Sequence, residues 1–328
     1  MIQLISPKNG EILDQLTAEQ MECLNNTGRK IGEDFDWLNL KRKGMDLSIP
    51  QPFVFTWETE GSAVLLISPY GDFSEYQSFV GNNRAEVYNL FIGKKYYWMV
   101  VKDGEASEIR CFKVNPRAPR LIKADGVSNV RDIGGRYNIH GWKIKQGMVY
   151  RGTEMDDHHT IAPEGIRVLK EDLGIRMDFD LRASAVGKIK QSPLGEDVKL
   201  EIIPAASYDE FIDDKETTRK LFKQFLNKDN YPMYVHCWGG ADRTGTLILL
   251  LCGILGLDNR ALFEEYEFTT MSIWGVRSIH SEWFKKFLNA IIKYKGNSLA
   301  EKSYNYLVSC GITPEEIREI REILLEEV

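Results

Sequence analysis

Residues 235–245 read Val235-His236-Cys237-Trp238-Gly239-Gly240-Ala241-Asp242-Arg243-Thr244-Gly245. The stretch places a cysteine and an arginine at the two ends of a five-residue loop that contains two glycines. The apolar run 231–235 before it is typical of a strand, and the apolar run 247–257 after it is typical of a buried helix. A strand, a tight loop and a helix in this order predict an anion pocket with a nucleophile at its floor.

A phosphate dianion needs several donors at once, and this loop can supply them. Backbone N–H groups of a curved loop converge on one point, and the helix behind them adds its positive end. Glycine at 239 and 240 permits backbone angles and close approaches that a Cβ would block. A guanidinium at 243 matches two phosphate oxygens. The predicted phosphate-binding residues are Trp238, Gly239, Gly240, Ala241, Asp242 and Arg243.

Cys237 is the predicted nucleophile. A helix N-terminus with a nearby cation favours the thiolate, which is the reactive form of cysteine. In-line attack on phosphorus would form a phosphocysteine that water then hydrolyses. Thr244 is placed to donate a hydrogen bond to the sulfur. Lysine is absent before Thr244, so a nucleotide-binding P-loop is disfavoured.

The stretch His236 to Thr244 resembles the signature of cysteine-dependent protein tyrosine phosphatases. Its longer form, HCxxGxDRTG, is similar to that of bacterial tyrosine and dual-specificity phosphatases. Three further motifs of that family precede it in order: 129–135 (Asn-Val-Arg-Asp-Ile-Gly-Gly), Tyr150-Arg151 and Asp180-Leu181-Arg182. The resemblance spans roughly residues 118–328.

The resemblance implies an α/β cysteine-phosphatase fold, with a central sheet flanked by helices, and a reaction that needs neither metal nor cofactor. It also implies that the loop aspartate, Asp242, protonates the leaving group. Aspartates some thirty residues upstream of the cysteine are the alternative acids, namely Asp209, Asp213 and Asp214. Residues expected to support or brace the loop are His236, Thr244, Arg131, Asp132, Asp180 and Arg182. Arg151 is expected to reach substrate or to join that bracing network.

Ala241 departs from relatives that act on phosphoinositides, which often carry lysine at this point. The absence of this lysine removes a cation from the edge of the pocket. Trp238 provides a flat wall that suits an aromatic ester. We therefore expect a protein tyrosine phosphatase, acting on a phosphoprotein or small phosphoester. The alternatives are an inositol phosphate or phosphoinositide phosphatase, a phosphate-binding adaptor without activity, and a sulfurtransferase.

The N-terminal part has a different sequence pattern, which is typical of β-structure. Short β-rich runs between residues 53 and 114 are separated by turn residues, and the segment 90–96 resembles the tyrosine corner of a fibronectin type III or immunoglobulin-like sandwich. We expect a separate all-β sandwich over residues 1–116 with a helical insertion near its start, and a phosphatase domain over 120–328. Residues 25–44 are polar without a clear period, and either extend the sandwich or pack on the second domain. The sandwich itself either binds a protein partner or packs on the phosphatase domain.

Composition excludes several classes of protein. The chain has 328 residues and a formal net charge of −6, which disfavours binding to nucleic acid. No basic, apolar leader opens it, and the 11-residue run 247–257 is its longest apolar stretch, too short for a membrane span; we expect a cytoplasmic protein. Five scattered cysteines and five histidines show no metal-ligand spacing. Glu264, Glu265 and Glu267 are predicted to lie on a solvated helix face.

Overall fold

The computed structural model describes residues 2–30 and 45–327, and their contacts divide the chain into two units. The first runs from residue 2 to Thr17 and continues over Pro50–Ile122; the second comprises the rest. Helix α1 (Ala18–Asn25) groups with the second unit, where the Gln20 side chain donates to the carbonyls of Leu47 and Ile49. Residues 31–44 of the polar segment lie outside the described residues. The domain boundary at 116–120 stays a prediction.

The first unit is built from β-strands. They are β1 Gln3–Ser6, β2 Glu11–Leu13, β3 Phe53–Glu58, β4 Ala63–Ser68, β5 Gln77–Gly81, β6 Arg84–Val87, β7 Lys95–Lys102, β8 Glu105–Ala106, β9 Arg110–Val114 and β10 Arg120–Leu121. One sheet has the order β1-β3-β6 and another the order β2-β9-β7-β4-β5, with β8 beside β7. Trp57, Tyr96 and Trp98 are buried in the core, and the Tyr96 hydroxyl accepts a hydrogen bond from the Phe91 N–H, as the tyrosine corner predicts.

The second unit alternates strands and helices. Its strands are β11 Arg131–Asp132, β12 Lys143–Ile144, β13 Val149–Gly152, β14 Met177–Asp180, β15 Lys199–Ile202, β16 Met233–His236 and β17 Leu325–Glu326. Its further helices are α2 Pro163–Arg167, α3 Tyr208–Asp213, α4 Lys215–Gln224, α5 Arg243–Ile254, α6 Asn259–Glu267, α7 Glu282–Ile291, α8 Leu299–Ser309 and α9 Pro314–Leu324. Among its described residues there are also a π-helical turn (Val168–Asp172) and three 3₁₀ turns (Ala183–Ala185, Lys228–Asn230, Phe268–Met271).

Parallel pairing brings the predicted motifs to one edge of the sheet. Strands β11, β13, β16, β14 and β15 neighbour one another in that order. Gly152 and Asp180 both pair with His236, so three strands end at the same level. The loops that follow them therefore leave the same edge, which is where open α/β sheets bind ligands.

Helix α5 lies in the centre of the hydrophobic core. Every residue from Thr244 to Ile254 is buried, which confirms the predicted buried helix and is typical of a helix that is apolar on all sides. In the described part of the chain, no helix has the length and apolar character needed to traverse a bilayer.

The C-terminal helix begins at a capping box and is followed by a short strand. Thr313 and Glu316 form the capping box at the start of α9. The helix ends at Leu324, and β17 then pairs with β12. Backbone pairing with a distant strand wins here over the local helical preference of the sequence.

Candidate active site

The cysteine loop leaves the carboxyl end of β16 and enters α5. Cys237 directly follows the strand and is 2% exposed. The helix starts at Arg243, so its free first-turn N–H groups face the loop. The predicted strand, loop and helix are therefore confirmed.

Two side chains hold the loop carbonyls from outside. Asn129 Nδ2 donates to the oxygens of Gly239 at 3.1 Å and Gly240 at 3.3 Å. Arg151 Nη2 also donates to the oxygen of Gly240. Asn129 adopts a left-handed backbone with φ of 59°, which asparagine tolerates better than most residues.

A backbone group adds a fourth bond, because the Glu154 N–H donates to the Trp238 oxygen at 3.0 Å. In a trans peptide the carbonyl and the following N–H point in opposite directions. The N–H groups of Gly239, Gly240 and Ala241 therefore point away from these partners. Successive amides aimed at one point form an anion-binding concavity.

Glycine is required at both central positions. Gly240 has φ of 59°, and a Cβ there would lie 2.1 Å from the Gly152 oxygen. A Cβ on Gly239 would lie 2.8 Å from Cγ of Trp274. At these two positions the loop thus packs too closely against its neighbours for a side chain to fit.

The buried carboxylate of Glu265 anchors the supports of the loop. Its Oε1 accepts from Arg131 Nε at 2.9 Å and from Arg151 Nη1 at 3.1 Å, and its Oε2 from Arg136 Nη2 at 3.3 Å. Arg131 also donates to the Asn129 side chain. The bracing predicted for Arg131 is present, and Arg151 joins it.

The prediction of a solvated face at Glu264, Glu265 and Glu267 is wrong, since these residues are 4%, 1% and 6% exposed. Burial alone would raise the pKa of Glu265, but the three arginines outweigh burial and lower that pKa below its ordinary value. The helix pattern showed charge, but it did not reveal that the partners come from other elements.

Asp132 braces backbone. Its Oδ1 accepts from the Gly134 N–H at 2.8 Å and its Oδ2 from the Gly147 N–H at 2.6 Å. These bonds join the first motif to the turn before β13.

Arg182 connects two loops at the carboxyl edge. It pairs with Asp180 and Asp156 at 2.7 Å and with Glu154 at 2.6 Å. Because the Glu154 backbone holds the Trp238 carbonyl, this cluster reaches the cysteine loop through one residue.

His236 is buried directly before the nucleophile. Its Nε2 lies 2.8 Å from Asp178 Oδ1, and its Nδ1 lies 3.9 Å from Asp180 Oδ1. Burial alone would lower the pKa of His236, but the charge and hydrogen bond of Asp178, with the charge of Asp180, raise it to about 9. His236 therefore contacts the carboxylates of Asp178 and Asp180, and its supporting role in catalysis stays a prediction.

Asp242 is held by three donors. Arg277 Nε donates to its Oδ1 at 2.8 Å and Arg277 Nη2 to its Oδ2 at 2.9 Å, while the Tyr208 hydroxyl donates to Oδ1. Burial alone would lower the pKa of Arg277, but the bond and charge of Asp242 raise it.

Arg243 and Thr244 begin helix α5. The Arg243 guanidinium lies over the Trp238 ring, 5.0 Å from its centroid, a cation–π geometry. The Thr244 hydroxyl is buried and has no hydrogen-bond partner among the described residues, which leaves it available for the role predicted at the sulfur.

Aromatic rings border the loop. His158 packs edge-on to Trp238 and to Trp274, with ring centroids 5.5 and 5.9 Å apart. Trp274 Nε1 donates to His159 Nε2 at 2.9 Å. We call His158, His159, Trp238 and Trp274 the aromatic rim.

The alternative acids occupy different positions. Asp209 lines one pocket with Asp242. Asp213 is exposed at the end of α3, and Asp214 caps α4 by accepting from the Thr217 N–H. Hydrogen bonds from Thr217 lower the pKa of Asp214. Of the three, Asp209 is the one that the structure brings beside the loop aspartate.

One group of side chains has the spacing of metal ligands. Ligand atoms of Glu154, Asp157 and His158 lie within 4.8 Å of one another. Glu154 already pairs with Arg182 and with His158, which favours an ion-pair cluster. The expectation of a metal-free site stays a prediction.

Sequence reasoning missed Arg277, Tyr208 and Glu154 as parts of the site. Arg277 lies 35 positions after Asp242 and Tyr208 lies 34 before it, and neither belongs to a recognised motif. In the sequence, these three residues stand out only as polar. Their contacts become visible only in the folded structure.

With this geometry in place, comparison with known proteins gives the class. Residues 122–326 match the model of the tyrosine phosphatase family, and the chain belongs to that family, whose members are cysteine-based phosphatases. A solved structure that is similar in part is the core catalytic domain of the PP-IP phosphatase SIW14 from S. cerevisiae in complex with citrate. It is 20% identical, covers 44% of this chain and 83% of its own, and has a TM-score of 0.32. No curated protein matches the chain.

Replacing the anchor should destabilise the second unit. Glu265→Gln keeps the shape but removes the counter-charge of the buried Arg131 and Arg151 and leaves Arg136 with Glu264 alone, so we expect a loss of about 3–5 kcal/mol in the free energy of unfolding, measured by chemical denaturation. Glu216→Gln is the control, because Glu216 pairs with Lys220 on an exposed helix surface and should change stability by less than about 0.5 kcal/mol. Equal stability of the two variants would contradict the anchoring role.

The contribution of His236 to stability should depend on pH. Its folded pKa of about 9 exceeds the ordinary value of about 6.5, so its protonation stabilises the fold fully below about pH 6.5 and is lost as pH rises through about 9. We expect the stability gap between wild type and His236→Gln to be largest near about pH 6 and to shrink by about pH 9.5. Denaturation curves at both pH values measure it. A gap independent of pH would refute the ion pair.

Proposed function

We propose that the chain hydrolyses phosphomonoesters through a phosphocysteine, with protein phosphotyrosine as substrate. One observation supports the reaction above all: three loop carbonyls accept hydrogen bonds from outside the loop, so the N–H groups of residues 239–241 point away from those donors. Donors fixed before substrate arrives stabilise the charge that develops on a transferring phosphoryl group.

Each residue has a defined task in the proposed reaction. The Cys237 thiolate attacks phosphorus while Arg243 and the loop amides hold the equatorial oxygens, and the bond from phosphorus to the ester oxygen breaks. Asp242 gives its proton to the leaving oxygen. Water then attacks the phosphocysteine, Asp242 takes a proton from it, and inorganic phosphate leaves with the thiolate restored.

Two features favour an aromatic ester over an inositol phosphate. The aromatic rim provides flat walls beside the nucleophile, and Trp238 is 39% exposed, so a phenyl ring can contact it. Ala241 is buried in the loop and adds no cation for a second phosphate. An inositol phosphate phosphatase remains the alternative that substrate profiling separates.

For the N-terminal unit we propose a fibronectin type III or immunoglobulin-like sandwich over residues 1–116, joined to a phosphatase domain over 120–328. Two β-sheets around a common core and the bond between Tyr96 and Phe91 support it. We further propose a cytoplasmic enzyme of the bacterial tyrosine and dual-specificity group, on the basis of the HCxxGxDRTG loop. Its sandwich binds a protein partner or packs on the phosphatase domain.

Loss of the nucleophile should abolish turnover. We expect Cys237→Ser to reduce hydrolysis of 4-nitrophenyl phosphate to background, because a hydroxyl is a far weaker nucleophile than a thiolate. Arg243→Lys should lower kcat/KM by about 10²–10³-fold, since a point charge cannot hold two oxygens. Cys111→Ser, in the first unit, is the matched control and should retain wild-type rates. Full activity of Cys237→Ser would overturn the proposal.

Substrate choice can be read from the aromatic rim. We expect phosphotyrosine peptides to be turned over faster than phosphoserine peptides or inositol phosphates. Trp238→Ala should lower kcat/KM for phosphotyrosine by about 3–10-fold, the size of an aromatic contact. Trp142→Ala is the control, as the two residues are 40% and 39% exposed. Preferential hydrolysis of inositol phosphates would favour the alternative function.

A further inference from the structure

The carboxylate of Asp242 has one free position for a proton. Each carboxylate oxygen has two lone pairs. Oδ1 uses both, for Arg277 Nε and the Tyr208 hydroxyl, whereas Oδ2 accepts one bond, from Arg277 Nη2, in the described part of the chain. The remaining lone pair of Oδ2 is thus the place where a proton can sit.

We propose that Arg277 is a positioning residue that holds Asp242 for proton transfer and leaves Oδ2 as the oxygen that carries the proton. This inference rests on the proposed function, because it assigns Asp242 the proton of the leaving group. A bidentate guanidinium fixes the plane of the carboxylate as well as its distance. Arg277 therefore determines which way Oδ2 faces.

Arg277 is itself held in place. Its Nη1 donates to the carbonyls of Trp274 at 3.1 Å and Val276 at 3.2 Å. Its backbone N–H donates to the Thr270 hydroxyl, which in turn donates to the Arg277 carbonyl, both at 2.9 Å. The guanidinium is therefore a fixed support and not a mobile surface charge.

Tyr208 supplies the second support. Its hydroxyl lies 2.9 Å from that of Tyr266. Burial raises the pKa of both tyrosines, that of Tyr266 to about 12, so the two hydroxyls stay protonated and Tyr208 stays a donor. Asp209 and Glu210 are the other charged residues that line the same pocket as Tyr208, Asp242 and Arg277. Arg243 directly follows Asp242 in the chain.

Open space adjoins this cluster. A pocket of about 470 Å³ is lined by Asp242, Arg277, Tyr208 and Trp283, among others. The pocket thus reaches the loop at Asp242, the residue before Arg243. As the bond from phosphorus to the ester oxygen breaks, the proton on Oδ2 moves to that oxygen, and Arg277 keeps all its protons.

The test compares two substrates that differ in their need for an acid. Phenyl phosphate releases a basic phenolate, whereas 4-nitrophenolate leaves without help. We expect Arg277→Gln to lower kcat/KM for phenyl phosphate by about 10²-fold and for 4-nitrophenyl phosphate by less than about 3-fold. Arg277→Lys, which keeps the charge but not the fork, should fall between wild type and Arg277→Gln.

A double mutant isolates the route through Asp242. If Arg277 acts by positioning Asp242, then Asp242→Asn combined with Arg277→Gln should match Asp242→Asn alone on phenyl phosphate. Arg167→Gln, which removes an exposed arginine that pairs with Glu164 and Asp172, is the control and should match wild type.

The possible outcomes are distinct. Equal losses on both substrates, or additive losses in the double mutant, would overturn the inference and leave the proposed function intact. If Arg277→Gln does not fold, Arg277→Lys carries the same comparison. Absence of turnover of either substrate by the wild type would contradict the proposed function and this inference with it.

Discussion

The carbonyl oxygens of the cysteine loop must find donors in the protein, and the site depends on this constraint. Arg151 and Asn129 supply them at Gly239 and Gly240. Both are tied to Glu265: Arg151 directly, and Asn129 through Arg131. A single buried carboxylate therefore orients two peptide planes, and the amides that follow face inward because a trans peptide opposes its two dipoles. The candidate anion site consists of backbone groups, and a network of charged side chains holds them in place.

Two carboxylate–arginine systems lie at this edge of the sheet, one centred on Glu265 and the other formed by Asp242 and Arg277. The Glu265 system is fully buried, where an unpaired charge is costly, so it behaves as a fixed frame. The pair of Asp242 and Arg277 is partly exposed, with side chains 37% and 19% accessible, and it borders open space. One system holds the loop backbone, and the other holds the Asp242 side chain at the border of that space. In the proposed reaction the acid, Asp242, gives up and regains its proton, and Asp242 has no direct bond to Glu265 among the described contacts.

The sequence predicted the parts of the site that are contiguous in the chain, and it missed the residues that only the fold brings to the site. Strand, loop and helix around Cys237 follow from one run of residues, and parallel pairing of β13, β14 and β16 explains why the upstream motifs lie beside it. In its local sequence, Glu265 looks like an exposed helix residue. Its three arginine partners are far away in the chain, at positions 131, 136 and 151. Arg277 lies outside every motif. A helical charge pattern cannot reveal partners more than a hundred positions away, so these side chains became functional candidates only when the fold placed them.

Charge balance around the loop also bears on substrate choice. Arg131, Arg136, Arg151, Arg182 and Arg277 each pair with a carboxylate. Arg243 forms no ion pair with any described residue and instead lies over the Trp238 ring. The unpaired positive charge at the loop thus amounts to one guanidinium plus the amides and the helix end, which suits a single phosphate. A polyphosphorylated ring would bring further anions to a border whose arginines are already neutralised, and unpaired anions near carboxylates repel. The proposed substrate, an ester with one phosphate on an aromatic ring, carries a single dianion for the loop and a flat ring for the aromatic rim.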